Sequence, residues 1–172
     1  MRSPRSRRWI ARSRYDYKRN GTSSLFAALD AATGKVIRSL HSRHRAIEFK
    51  KFLQKIDKEV PAELDVHLIL DNYATHKTPA IKKWLAAHPR FHLHFTPTGA
   101  SWVNLVERFF AELTARKLRR GAHRSVKELN VDIEQWIENW NEDPKPYVWV
   151  KTAEEILDKL TGYCNTITAS GH

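Results

Sequence analysis

Asp65-Val66-His67-Leu68-Ile69-Leu70-Asp71-Asn72 is a short apolar run that stops on a carboxylate and an amide. Its length and its aliphatic content predict a strand buried on both faces, as in a sheet covered by helices on either side. On the amino side, Thr22 to Leu29 and Lys35 to Leu40 predict two further strands, joined by Asp30-Ala31-Ala32-Thr33-Gly34 as a turn. Between this hairpin and the central strand, Ile47, Phe49, Phe52, Leu53 and Ile56 follow the helical period, and Pro61 closes a helix from Arg45 to Val60.

Beyond Asp71, Thr78-Pro79 opens a helix to about His88, and Phe91 to Phe95 makes another strand before the loop Thr96-Pro97-Thr98-Gly99. A helix from Ser101 follows, with Val103, Val106, Phe110 and Leu113 as its apolar stripe, flanked by Trp102 and Phe109. Ser125 with Glu128 forms a capping box for a helix facing inward through Leu129, Ile133, Trp136, Ile137 and Trp140. Thr152 with Glu155 repeats that device for a last helix to about Leu160. This order of strands and helices predicts an α/β protein with one small mixed sheet flanked by helices.

With 172 residues the chain suits a single domain. No apolar run approaches the roughly 18 residues of a membrane helix, and no secretory signal is evident, so a cytoplasmic protein is expected. The lone cysteine, Cys164, excludes an internal disulfide framework. A net charge of +11 makes a polyanion the natural partner, since lysine and arginine gain affinity for phosphates by releasing counterions. Residues 1–20 alone carry +7 of that charge. Residues 1–14 are expected to form a basic disordered tail or a DNA-contacting arm, residues 15–162 the folded core, and 163–172 a second tail.

Asp71 is the sharpest chemical position, a carboxylate at the end of a buried strand, where α/β sheets place ligands. A turn-capping aspartate is the plain alternative. Glu107 lies at the margin of the apolar stripe of its helix, separated from Asp71 by 35 residues, and either reaches back to the sheet or pairs on the surface with Arg108 or a lysine. Two such acids can converge on hard divalent ions, magnesium or manganese, that serve an in-line phosphodiester displacement. His76 and Asn104 are candidates for supporting roles, each with an ordinary surface residue as the alternative. His92 and His94 share one face of a strand but lack a third ligand at zinc spacing, so they are read as structural. Arg116, Lys117, Arg119, Arg120, His123 and Arg124 form a basic run that suits either a solvated helix end or DNA phosphates.

Three blocks carry a resemblance. Asp71-Asn72-Tyr73-Ala74-Thr75-His76-Lys77, then Phe95 through Glu107 (FTPTGASWVNLVE), then Trp140 through Trp149 (WNEDPKPYVW) look like the signature blocks of the mariner-related insertion sequence 630 family of bacterial DDE transposases. The resemblance spans about residue 15 to residue 160. It implies a ribonuclease H-like fold, a transposase acting on transposon ends and target DNA, and two magnesium or manganese ions. It makes Asp71 and Glu107 the second and third members of the acidic triad and metal ligands, with Asn72, His76 and Asn104 in support. Lys77, Arg108, Arg116, Lys117, Arg119 and Arg120 become the expected DNA contacts, and a homodimer or a heteromer with an intact transposase the expected assembly at the nucleoid.

One departure stands out. The family carries its first aspartate on an opening strand ahead of the segment resembling Tyr15-Asp16-Tyr17-Lys18-Arg19, and no matching residue is found. The expectation is therefore a sheet lacking its first strand, an exposed apolar edge at Thr22 to Leu29, and Asp30 as at best a makeshift acid. Two other readings stay open: a non-catalytic DNA-binding or dimerising remnant, and a metal-dependent nuclease unrelated to transposition.

Overall fold

The computed structural model describes residues 6–12, 16–18, 22–71, 77–96, 104–119 and 121–145. The elements are β1 (Ser6–Arg12), β2 (Asp16–Lys18), β3 (Thr22–Asp30), β4 (Val36–His41), α1 (Ala46–Glu59), β5 (Asp65–Asp71), α2 (Pro79–Ala87), β6 (Phe91–Thr96), α3 (Asn104–Leu113) and α4 (Val126–Glu142). A π-helical turn, Thr114–Leu118, continues α3. The predicted helix after Thr152 lies outside the described residues.

One mixed sheet organises the molecule. β3 pairs antiparallel with β4 on one side and with β1 and β2 on the other, while β1 runs parallel to β5 and β5 parallel to β6. Side chains alternate between two apolar layers, as the strand period requires. Phe26 and Ala28 of β3 and Val66, Leu68 and Leu70 of β5 join Trp9, Ala11 and the buried faces of α1 and α2. Leu25, Ala27 and Leu29 of β3, with Ile69 of β5, join Val106, Phe109, Phe110 and Leu113 of α3 and Leu129, Ile133 and Ile137 of α4. The central run at Asp65–Asp71 is buried on both sides, as its composition demanded.

The opening of the chain departs from expectation. Ser6–Arg12, read as tail, is a strand at the sheet's centre, between β3 and β5. Trp9 is only 6% exposed and Ala11 3%, so the two apolar residues of an arginine-rich stretch enter the core at strand spacing. The sheet's first slot is therefore filled, and β3, flanked on both sides, presents no open apolar edge. Composition had masked a two-residue period too short to stand out against the surrounding charge.

α4 is tied to the hairpin by polar contacts as well as by its apolar stripe. Asn141 pairs with the Val36 backbone like a neighbouring strand, its Oδ1 accepting from Val36 N and its Nδ2 donating to Val36 O, both at 2.8 Å. Trp140 Nε1 donates to Gly34 O at 2.9 Å. Gly34, at φ 75°, occupies left-handed space that favours glycine, and so closes the turn.

Candidate active site

Position 71 ends β5, and the two-residue period puts it on the same sheet face as Ile69. Ile69 packs with Val106 and Phe109, so this is the face that α3 covers. Glu107 sits in the first turn of α3, exposed, next to buried Val106. The fold thus brings the strand end bearing Asp71 and the helix start bearing Glu107 to one face of the sheet. Asn104 is the first residue of α3, while Asn72, His76 and Arg120 lie outside the described residues.

The third slot is informative. β1 lies directly beside β5, in a parallel ladder that runs from Ser6 opposite Asp65 to Ile10 opposite Ile69, and Arg12 ends β1 as Asp71 ends β5. The strand reads Ser-Arg-Arg-Trp-Ile-Ala-Arg and contains no carboxylate. Asp30 does not substitute for it. It lies three register positions from the level of Arg12, pairs with Trp9, and belongs to the opposite face with Phe26 and Ala28. Its carboxylate caps the hairpin turn, accepting from Ala32 N at 3.0 Å and from Thr33 Oγ1 at 2.8 Å.

Two of the expected DNA contacts are engaged internally. Lys117 Nζ lies 3.0 Å from Asp132 Oδ1, and Arg116 Nε 3.1 Å from Glu112 Oε1. Asp132 also takes a 3.0 Å contact from His123 Nε2. Burial alone would push its carboxyl up, but the hydrogen bonds from His123 and Lys117 together hold it below the ordinary aspartate value. Arg108 and Arg119 are exposed. Lys77 Nζ rests 4.8 Å from the centre of the Phe95 ring, on the strand neighbouring β5.

A feature the sequence reading only half saw lies on the face of Asp71. His67 of β5 is opposite His92 of β6, and His94 is opposite Ile69. The His67 ring stacks on that of His92 with centroids 4.7 Å apart and bonds edge-on to His94, Nδ1 to Nε2 at 3.0 Å. His67 had passed as part of a buried run, and only strand pairing reveals it as the third histidine. Near-parallel rings, at 19° and 16°, do not aim their lone pairs at one point. Among the described residues no group of three or more histidine, cysteine, aspartate or glutamate side chains is arranged to hold a metal ion. The described grooves lie along α4, lined by residues such as Leu40, Val131 and Gln135, and involve no residue of β5.

A five-position mixed sheet of this connectivity, with helices on both faces, defines a ribonuclease H-like core. The chain belongs to the DDE superfamily endonuclease family, whose pattern matches residues 2–130. It is 28% identical, over 114 residues, to the insertion element IS630 uncharacterized 39 kDa protein of Shigella sonnei; the match covers 66% of this chain and 33% of that protein. The matched part is thus about one third of the relative's length. Among solved structures, the HTLV-2 integrase catalytic core domain in complex with magnesium (dimeric form) superposes with a TM-score of 0.58 at 16% identity, covering 81% of this chain and 88% of that one. A chain of the simian T-cell lymphotropic virus intasome, determined with the PP2A regulatory subunit B56 gamma, gives a TM-score of 0.61 at 15% identity, covering 89% and 53%. At these identities the likeness speaks for the fold.

Proposed function

We propose that this chain is the catalytic-core portion of an insertion sequence transposase, acting on the phosphodiester backbone at transposon ends and in target DNA. What supports the reading is that the strand ending on Asp71 and the helix beginning with Glu107 in its first turn belong to one sheet face, within a family of DDE endonucleases. Two carboxylates suit one hard divalent ion, magnesium or manganese, which would supply Lewis acidity to a phosphoryl oxygen and lower the pKa of a bound water. β1 contains no carboxylate, so among the described strands none offers the third acid of the two-ion site that the family implies. Strand cleavage by this chain alone is therefore weak or absent, and its contribution falls on binding DNA.

The remaining roles follow from position. Lys77, Arg108, Arg119 and Arg120 contact the DNA backbone, with Arg116 and Lys117 free to join once their internal partners exchange for phosphate. Asn72, His76 and Asn104 flank the two acids in sequence and steady them or the scissile phosphate. Retroviral integrase cores of this fold have been determined in dimeric and trimeric forms, which supports assembly of this chain with itself or with a complete transposase.

Calorimetric titration of magnesium and manganese into the chain, beside Asp71→Ala and Glu107→Ala, tests the site. Binding of one ion that both variants abolish is the expected result. No binding to the parent would leave the non-catalytic, DNA-binding remnant as the reading. The lack of a carboxylate in β1 favours that second reading more than it favours an unrelated nuclease.

A further inference from the structure

We infer that His67, His92 and His94 form a proton-linked phosphate subsite, through which this chain binds the DNA backbone more tightly as pH falls. The inference rests on the DNA-acting reading above and names a contact surface within it. Three imidazoles occupy one face of two paired strands, with the His67–His92 rings stacked at 4.7 Å and the His67–His94 nitrogens at 3.0 Å. An N···N hydrogen bond between imidazoles needs exactly one hydrogen between the two nitrogens. In the neutral pair one ring donates the shared hydrogen and the other already carries its own on its outer nitrogen, so one further proton enters at the single outer nitrogen left bare and the two rings charge as a unit. His92 is exposed, and its neighbours in the stack are half-buried, so the cluster is accessible to a polyanion.

The surroundings set the sign. By strand parity the same face takes Asp65 and Asp71 from β5 and Arg8, opposite His67, and Arg12 from β1, and α3 brings Glu107 and Arg108 in its first turn. Acids and bases there nearly balance, so the histidines decide whether the face is attractive to phosphate. Parallel rings spread their N–H edges along the strands instead of focusing lone pairs, an arrangement suited to donating toward a backbone of regularly spaced phosphates and unsuited to a transition metal.

The test is DNA binding without divalent ions, by fluorescence anisotropy on a duplex at constant ionic strength, from about pH 8 down to about pH 5.5, where histidine changes charge. The parent should tighten by up to about tenfold per pH unit for each linked proton. Calorimetry in two buffers of different ionisation enthalpy should register about one proton taken up per complex. The His67→Gln/His92→Gln/His94→Gln variant should lose both effects while binding as the parent does at the alkaline end. His92→Gln, altered at the exposed ring alone, should lose part of the uptake and serves if the triple variant fails to fold. Unchanged pH dependence in these variants would overturn the inference and leave the transposase reading intact. Absence of DNA binding by the parent at every pH would overturn both, independently of the metal titration at Asp71 and Glu107.

Discussion

Glu48 shows how a single residue ties the fold's stability to pH. Its side chain, 8% exposed, accepts from Arg45 Nη2 at 2.7 Å and from the Arg45 backbone at 3.0 Å, closing the amino end of α1. The Arg45 hydrogen bond is the main cause holding its carboxyl down at about 2, against 4.5 for an ordinary glutamate. A depressed folded value means that the unfolded chain binds the proton first. Glu48 therefore stabilises the fold at and above about pH 4.5, and that contribution is lost as pH falls toward about 2. Glu48→Gln should lower the melting temperature near neutral pH and show a smaller further decline across this acid window than the parent, as read by circular dichroism. Parallel parent and variant curves would show that the pair contributes nothing.

The junction between α3 and α4 is an element-scale device. The π-helical turn Thr114–Leu118 is capped by Arg119, and Gly121 then lies so close to His123 that an added Cβ would overlap its ring and stand 2.7 Å from the Lys117 carbonyl oxygen. One of those neighbours is backbone and cannot swing away. Gly121→Ala should therefore cost about 1–3 kcal/mol in chemical denaturation by overpacking, and should disturb the Lys117–Asp132–His123 contacts. Phe109, fully buried between the sheet and the rings of Trp136 and Trp140, anchors α3 itself. Its truncation to alanine should cost about 3–5 kcal/mol and loosen the helix start that carries Glu107. At the strand level, Arg12→Asp adds an acid at the end of the strand that neighbours β5, and more carboxylates mean tighter binding of hard ions. Manganese affinity should rise about tenfold or more by calorimetry; no gain would mean that β1 does not approach β5 as the register has it.

For the whole molecule, charge is the governing quantity. With +11 on 172 residues, DNA affinity should fall steeply and log-linearly with salt. Each phosphate-contacting lysine or arginine removed should reduce the magnitude of that slope by roughly one. Lys77→Ala and Arg119→Ala should do so. Arg38→Ala should not, since Arg38 spans Glu134 and Glu138 at 2.6 and 2.8 Å and binds α4 to β4. Equal slopes for all three variants, measured by anisotropy across a salt series, would mean that the basic surface used is not the one around α2 and α3.

Much of the architecture was legible in the chain because it rests on local periodicity. The double-sided run at Asp65–Asp71, the hairpin ending on Asp30 and the inward stripe of α4 all appear where spacing placed them. Asp71 and Glu107 stood out for the same reason, an acid where an apolar pattern stops and an acid at the margin of a stripe. What the sequence could not disclose depends on which strand lies beside which. Ser6–Arg12 has only Trp9 and Ala11 to show for its buried face, and its arginines speak for solvent until β3 and β5 supply a slot for it. Asp30 and the three histidines likewise take their roles from register, which sent Asp30 to a turn on the far face and brought His67 against His92 and His94. Pairing between distant strands is set by burial and hydrogen bonding of the whole sheet, so it belongs to the tertiary structure and leaves little trace in any short stretch of sequence.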